Sequence, residues 1–474
     1  MSVALRSFVL ACLLIGFGIK AGMMPVHIWL PKAHSAAPSH VSALMSGVMI
    51  KMGVFMMIRM FFDVLPQPVL WLGYVVLLVG AVTSVLGILY AHAEHDSKRL
   101  LAYSSIENIG IIMLGLGAGL VFVGMHQQAL GILALTAALF HTINHAAFKS
   151  LLFLSAGSVY IQTHTRDIEK YGGLIKRMPI TAIGFLIGAI AISGVPPFNG
   201  FASEWLTYMS LFLGIGGQSI LTSVAFVVAA GALALTSGLA LACFVRLFGI
   251  TFLARPRSAE SAEAKEASGY ITFGIITFAV ICAVLGLSSG FIVMMLRSVL
   301  LHLSAFVGTV PVLAATSDGT VHIDGAAFFN IPLIAVSMSI VLLIGVGITY
   351  ALSRRQRMRY ANVWTTGYHQ PLSPRMEITA IGFSRSFITV YHLLFRPQTQ
   401  REIESVEGIK YFARQSTITL DIIDAFDAYL YRFFHPITEK ISSVTKRMQS
   451  GDLNLYLFYI FIVLLGLAVW VRSY

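Results

Sequence analysis

Long runs of apolar residues, each closed by a short polar stretch, repeat along the whole chain. A bilayer core takes about 20 residues of helix. Ten runs reach that length, roughly 5–30 (A), 41–62 (B), 69–91 (C), 100–122 (D), 129–160 (E), 178–211 (F), 219–252 (G), 270–301 (H), 331–352 (I) and 454–471 (J). They are continuous rather than short alternations, so they predict helices and not a barrel. The fold class expected is an all-α polytopic membrane protein. Two runs are interrupted: A by Gly18, Lys20, Gly22 and Pro25 ahead of His27, and F by Gly194-Val195-Pro196-Pro197-Phe198-Asn199-Gly200. Proline removes a donor and clashes with the preceding turn, so each run predicts a discontinuous helix. Broken backbone at membrane depth is tolerated only inside protein or beside water. Broken helices at corresponding positions of two repeats point to a transport site, and A and F lie five helices apart. A plain proline kink is the alternative; Lys20 and Glu204 beside the breaks weigh against it.

Composition agrees. Of 474 residues 57% are hydrophobic and 11% charged, against about 25% charged in a soluble chain. A soluble core, disorder, collagen and coiled coil are excluded. Residues 354–452 hold 14 of the 32 Lys+Arg and 9 of the 21 Asp+Glu, the density of a soluble segment. The expected division is a channel-like core at 1–302, an outer loop and run I at 303–353, a water-exposed amphipathic segment at 354–452, and a membrane anchor at 453–474. The net charge of +11 does not point to nucleic acid, because the basic residues sit in loops between apolar runs. If A ends in the cytoplasm, the inner loops carry Lys32; Lys98 and Arg99; Arg166, Lys170, Lys176 and Arg177; Arg255, Arg257 and Lys265; and Arg354, Arg355, Arg357 and Arg359. The outer loops carry no Lys or Arg, and the H–I loop carries Asp318 and Asp324. That asymmetry places 354–452 in the cytoplasm of a cell (inner) membrane protein.

Cys12, Cys243 and Cys282 lie inside apolar runs, with no CxxC, haem or iron–sulfur spacing and no glycine-rich nucleotide loop, so no cofactor is expected in this chain. The first run continues to Ile19 without the ending of a cleaved signal peptide.

Ionisable residues inside spans are costly, about 3 kcal/mol each on insertion scales, and are functional by default. Lys20 falls within A, Lys51 in B, Glu107 in D, Glu204 after the break in F, and Arg246 far into G. Run E carries His141, His145 and Lys149 at intervals of four, which puts all three on one helical face. Lysine, histidine and carboxylate in sequence suit proton transfer: a desolvated lysine gives up its proton more readily, a nearby carboxylate opposes this, and histidine relays through either nitrogen. The bland readings are a snorkelling lysine and histidines that only join helices. The two histidines could also hold a metal, but no third ligand is evident. Arg59 and Arg297 read as structural, and the methionines of B as packing or lipid-facing.

Four motifs resemble the antiporter-like proton-channel subunits of respiratory complex I, shared with Mrp cation/proton antiporters and group 4 membrane hydrogenases. They are Gly18-Ile-Lys20 through Trp29-Leu-Pro31 with Pro38-Ser-His-Val-Ser-Ala-Leu, Asp96-Ser-Lys-Arg through Gly110, His141 through Lys149, and Val195-Pro-Pro-Phe-Asn-Gly-Phe-Ala-Ser-Glu204. Glu107-Asn108, Lys51, the Arg246 run, and tail signatures at Trp364-Thr-Thr-Gly-Tyr368 and Met448-Gln-Ser-Gly-Asp resemble the hydrogenase branch, the large membrane subunit of formate hydrogenlyase and hydrogenase 4. Thr366 stands where that tail usually has a cysteine.

The resemblance implies that Lys20, Lys149 and Glu204 fall on the family's central proton pathway, with His141 and His145 beside Lys149. It implies helices ahead of A, one carrying a glutamate that pairs with the lysine at Lys20. This chain would hold the last two helices of one five-helix repeat and the whole of the next, shortened at its N-terminus, with Glu107 as the repeat-related counterpart of that glutamate. The expected function is proton translocation, or sodium translocation, through Lys20, Lys51, Glu107, His141, His145, Lys149, Glu204 and Arg246. The setting would be a redox-driven complex whose other membrane subunits and peripheral iron–sulfur or hydrogenase arm supply the energy. The rival readings are an Mrp-type antiporter subunit without a redox partner and a non-conducting membrane scaffold. The orientation is testable: a Ser442→Cys chain should be protected from impermeant thiol reagents in intact cells, and labelling there would overturn the helix count.

Overall fold

The computed structural model describes residues 2–65, 69–216, 219–307, 313–315, 320–323, 327–354, 373–406, 409–422, 424–448, 451 and 453–472. Arg355, Arg357, Arg359, Trp364–Tyr368, Gln449, Ser450, Asp318 and Asp324 lie outside them. The chain divides into two units, Met1–Val390 and Tyr391–Tyr474.

In the first unit the apolar runs become helices. Run A is α1 (Val3–Ala21) and α2 (Trp29–Ala36), and B is α3 (Ser39–Leu44) and α4 (Lys51–Arg59). C, D and E are α5 (Leu70–Ala93), α6 (Ser97–Gly124) and α7 (Gln128–Thr163). F is α8 (Pro179–Ile192) and α9 (Asn199–Ile215), and G is α10 (Ile220–Phe252), followed by a short α11 (Ala259–Glu263). H is α12 (Gly269–Leu287) with α13 (Ser289–Leu300), I is α14 (Ile331–Arg354), and α15 (Ala380–Val390) closes the unit. Nine helices among the described residues are long and apolar enough to cross a membrane. The tenth predicted span, F, falls outside that number because its break leaves two short halves.

Both predicted breaks are present, and both first halves end in the same way. Gly22 (φ 84°) and Gly194 (φ 63°) take the left-handed conformation that closes a helix and that other residues adopt only under strain. The loops carry the cis bonds Met24–Pro25 and Pro196–Pro197. Polar side chains then satisfy the opened backbone. Trp29 Nε1 donates to the Ile19 carbonyl at 2.8 Å, and the Met24 amide donates to Thr83 Oγ1 of α5 at 3.2 Å. Across the second break, Asn144 of α7 donates to the Asn199 carbonyl at 2.7 Å, and Asn199 donates back to Asn144 Oδ1 at 3.2 Å.

Three features depart from the sequence expectation. Run H is two helices, parted at Ser288. The Pro197 carbonyl of the F break packs against Gly286, and Gly286-Leu-Ser-Ser-Gly290 is a poor helix-forming stretch. Run B is interrupted by π-helical turns at Met45–Met49 and Met60–Val64. Strands also occur outside the helical body. A three-stranded antiparallel sheet is built from β1 (Leu313–Ala315), β2 (Thr320–Ile323) and β3 (Ala327–Asn330). In the second unit, after α16 (His392–Phe395), β4 (Gln398–Val406) pairs antiparallel with β5 (Ile409–Asp421). The β-branched run Thr417-Ile-Thr419 in β5 favours that hairpin. The amphipathic helix expected in this segment is α17 (Arg432–Met448), and α18 (Leu453–Arg472) is run J.

The centre of the first unit is α6, whose apolar window is entirely buried. It is reached through glycine. A Cβ on Gly87 of α5 would lie 2.6 Å from the Glu107 amide nitrogen, and one on Gly110 of α6 would lie 2.3 Å from the Ser84 amide nitrogen. The two backbones therefore touch, as small residues allow between membrane helices. Gly110→Leu should destabilise the detergent-solubilised protein by about 3 kcal/mol through overpacking. Gly231→Leu, at an exposed site with nothing within 4 Å of the added Cβ, should leave the thermal midpoint nearly unchanged.

Candidate functional site

Three of the titratable residues picked from sequence, Glu107, His141 and Lys149, meet on α6. Lys149, fully buried on α7, donates from Nζ to Ser104 Oγ at 2.6 Å and to the Leu101 carbonyl at 3.0 Å. The Ser104 carbonyl accepts from Asn108 Nδ2 at 2.8 Å, and the same amide donates to Glu107 Oε2 at 3.2 Å. Both partners are acceptors, which fixes the amide orientation and turns Asn108 Oδ1 toward His141 Nε2, 3.1 Å away. His141 must then carry its proton on Nε2, leaving Nδ1 to face Ser203 Oγ of α9 at 3.0 Å. Ser203 also accepts from Asn144 at 2.9 Å. A continuous polar chain thus runs from Lys149 through α6 to His141 and on to the residue before Glu204.

Lys51 joins from the other side. The π-helical turn at Met45–Met49 breaks the regular ladder of run B, and Lys51 Nζ donates to the Ser46 carbonyl there. Such bulges are frequent at functional sites. Ser46 Oγ meets Ser105 Oγ of α6 at 2.8 Å, so this turn is also tied to α6. His145, between His141 and Lys149, is buried with neither ring nitrogen hydrogen-bonded in the described structure. Glu204 is nearly buried; its Oε2 accepts from Ser237 Oγ of α10 at 2.8 Å, and its carboxylate packs against Gly194 at the F break.

Two sequence candidates stand apart. Lys20, expected in mid-helix, occupies the last turn of α1 and is exposed. Arg246 is buried but points elsewhere: it donates to Ser384 of α15, to the Glu94 carbonyl at 3.0 Å and to the Ala91 carbonyl at 3.5 Å. Glu94 keeps its carboxylate for Arg99, 2.9 Å away, and burial pushes that carboxyl up to about 7. Arg246 therefore donates to carbonyls at the end of α5, within electrostatic reach of Glu94 and Glu169, and it fastens α15 to that end. The residues that sequence reasoning missed are the uncharged linkers Ser104, Asn108, Asn144, Ser203 and Ser237. The signal for four of them was a polar residue inside an apolar run close to a titratable one: Ser104 and Asn144 lie three positions from Glu107 and His141, and Asn108 and Ser203 adjoin Glu107 and Glu204; Ser237 carried no such signal.

Residues 2–232 match the family model described as NADH:quinone oxidoreductase/Mrp antiporter, TM. Hydrogenase-4 component B of Escherichia coli is 38% identical over 99% of this chain and 70% of its own length. The chain belongs to this family. Formate hydrogenlyase subunit 3 of the same organism is 37% identical over 78% of this chain and 58% of its length. The fold resembles a chain of the membrane-bound sulfane sulfur reductase, an archaeal respiratory membrane complex (TM-score 0.68, 23% identity, 97% of this chain and 68% of that one). It also resembles a chain of the Mrp complex from Dietzia (TM-score 0.54, 22% identity, 64% and 60%). The protein is a multi-pass membrane subunit of the antiporter-like family.

Asn108→Leu should cost about 1–3 kcal/mol in thermal stability, because Glu107, His141 and the Ser104 carbonyl each lose a buried partner. Ser203→Ala removes a hydroxyl that meets His141, Asn144 and the Asn199 and Gly200 carbonyls, and should cost a comparable amount.

Proposed function

We propose that this chain is the proton-translocating membrane subunit of a redox-driven complex of the hydrogenase or NADH:quinone oxidoreductase type. The observation that carries the reading is the polar chain from Lys149 through Ser104, Asn108 and Glu107 to His141 and Ser203, buried in a helical membrane body. Glu204 and Lys51 extend it on either side. Relatives named as a hydrogenase component and a formate hydrogenlyase subunit support the redox setting. The partners would be further membrane subunits, a peripheral iron–sulfur or hydrogenase arm, and the lipid of the cell membrane, with 354–452 on the cytoplasmic side.

The chemistry follows from the coupling of charges. Glu107 and Lys149 act on one another electrostatically through the low-dielectric interior. A charge displaced near one of them changes the proton affinity of the other, so partner subunits that move charge at the end of the row can load and unload Lys149. From Lys149 the proton reaches His141 by way of internal water beside His145. The basic Nδ1 of His141 faces Ser203, and the exit lies toward Glu204 and Ser237. The two breaks open backbone next to this path while keeping it satisfied by Thr83, Asn144 and Asn199.

Proton uptake by the assembled complex in inside-out vesicles tests the assignment. Lys149→Ala, Glu107→Gln and Glu204→Gln should each slow it by about 10²-fold, the scale for loss of a positioned proton-transfer group, with assembly intact. Lys20→Met should leave it nearly unchanged. Normal pumping by the Lys149 variant, or a pattern with Lys20 essential and Glu107 dispensable, would overturn the reading.

A further inference from the structure

The row needs a route from the cytoplasmic side, and a histidine outside it occupies the intervening ground. His34 lies in the last turn of α2, the second half of the broken run A, and is fully buried. Neither ring nitrogen has a hydrogen-bond partner in the described structure. Buried polar groups of this kind are normally paired, and a purely structural histidine usually fixes at least one nitrogen, as His141 fixes both. The ring stacks on Phe153 of α7, with centroids 4.8 Å apart and planes 14° from parallel. Phe153 follows Lys149 by one helical turn.

Cations surround it. The helix ends just after His34, and a helix C-terminus leaves carbonyls without partners and favours positive charge. Arg166 donates to the Ser35 carbonyl, and Lys98 Nζ donates to the Ala37 carbonyl at 2.8 Å. The His34 carbonyl itself accepts from Ser42 Oγ at 3.1 Å. Arg166, paired with Asp96 at 3.5 Å, is part-exposed and belongs to a loop that the charge pattern assigns to the cytoplasm. Deeper in, Lys149 on α7 and Lys51 on α4 both act electrostatically on the His34 ring, as does Lys98 on α6. The imidazole is thus packed on a phenyl ring at the end of α2, within electrostatic reach of Lys98 and of the two buried lysines, and neither of its nitrogens is hydrogen-bonded in the described structure.

We propose that His34 is the cytoplasmic uptake relay of the row, carrying protons from the Lys98–Arg166 rim to Lys149. This rests on the translocation reading above. A proton from cytoplasmic-side water forms a new N–H bond on the unprotonated ring nitrogen. The N–H bond on the other nitrogen breaks toward internal water, which passes a proton to the neutral amine of Lys149. The ring returns to the neutral state as the other tautomer, and reset needs only a ring flip or proton exchange with water. Burial and the positive charge of Lys51 and Lys98 make the imidazolium a transient rather than a resting state while Lys149 is neutral, which suits a relay better than a store.

The test uses the assembled complex in inside-out vesicles, where the cytoplasmic face is outward. His34→Phe keeps the stack on Phe153 and removes both nitrogens; His34→Gln keeps the approximate volume and polarity but cannot relay in the same way. Both should assemble and lower proton uptake tenfold or more. The residual rate should rise as the external, cytoplasmic-side pH is lowered and ignore the lumenal pH, because uptake has become limiting. A merely structural role would not produce that sidedness. Wild-type uptake in either assembled variant, or equal sensitivity to pH on both faces, would overturn the proposal. Failure of the underlying reading is distinguishable: there, wild type and Lys149→Ala would show the same uptake, whereas here Lys149→Ala keeps its loss of about 10²-fold at every pH.

Discussion

Backbone contact between α5 and α6 underlies most of what the buried site can do. A helix that carries Ser104, Ser105, Glu107 and Asn108 cannot face lipid, because each unpaired polar group there would be costly. It has to be surrounded by protein, and glycine at Gly87 and Gly110 lets α5 approach until main chain meets main chain. With α6 enclosed, Lys149, His141 and the Ser46 turn reach it from neighbouring helices. Glu107 lies directly under the seam, so the same contact that buries the helix positions one of its acids.

The two broken helices solve a related problem. Interrupting a membrane helix exposes carbonyls and amides that the hydrocarbon cannot satisfy. In both, a left-handed glycine closes the first half and a polar side chain from an adjacent helix takes part of the opened backbone: Thr83 for the first, Asn144 for the second. Asn144 also binds Ser203, which faces His141. The support of the break and the hydrogen-bonded chain to His141 are thus shared, and a shift of the α8–α9 loop would be felt at His141. Arg246 serves a different end. Its guanidinium takes up carbonyls at the end of α5 and holds α15 there, a structural clamp made from a residue that sequence alone could equally have placed in the row.

The sequence by itself determined the membrane body and the breaks, and it singled out the titratable residues Glu107, His141, His145, Lys149 and Glu204 that the fold buries. Run length against bilayer thickness, and proline against the helical ladder, are local constraints that each segment obeys whatever its neighbours do. His141, His145 and Lys149 could be placed on one face because four residues make about one helical turn. Tertiary structure decided the rest. It separated Arg246 and Lys20 from the row, split run H at Ser288 where the F break presses on Gly286, and introduced π-helical turns into run B. It also set the tautomer of His141, which depends on an amide of α6 whose orientation is imposed by Glu107 and the Ser104 carbonyl. Depth and face follow from periodicity along one helix. Which buried groups meet depends on how closely different helices approach, and that is fixed by side chains far apart in sequence.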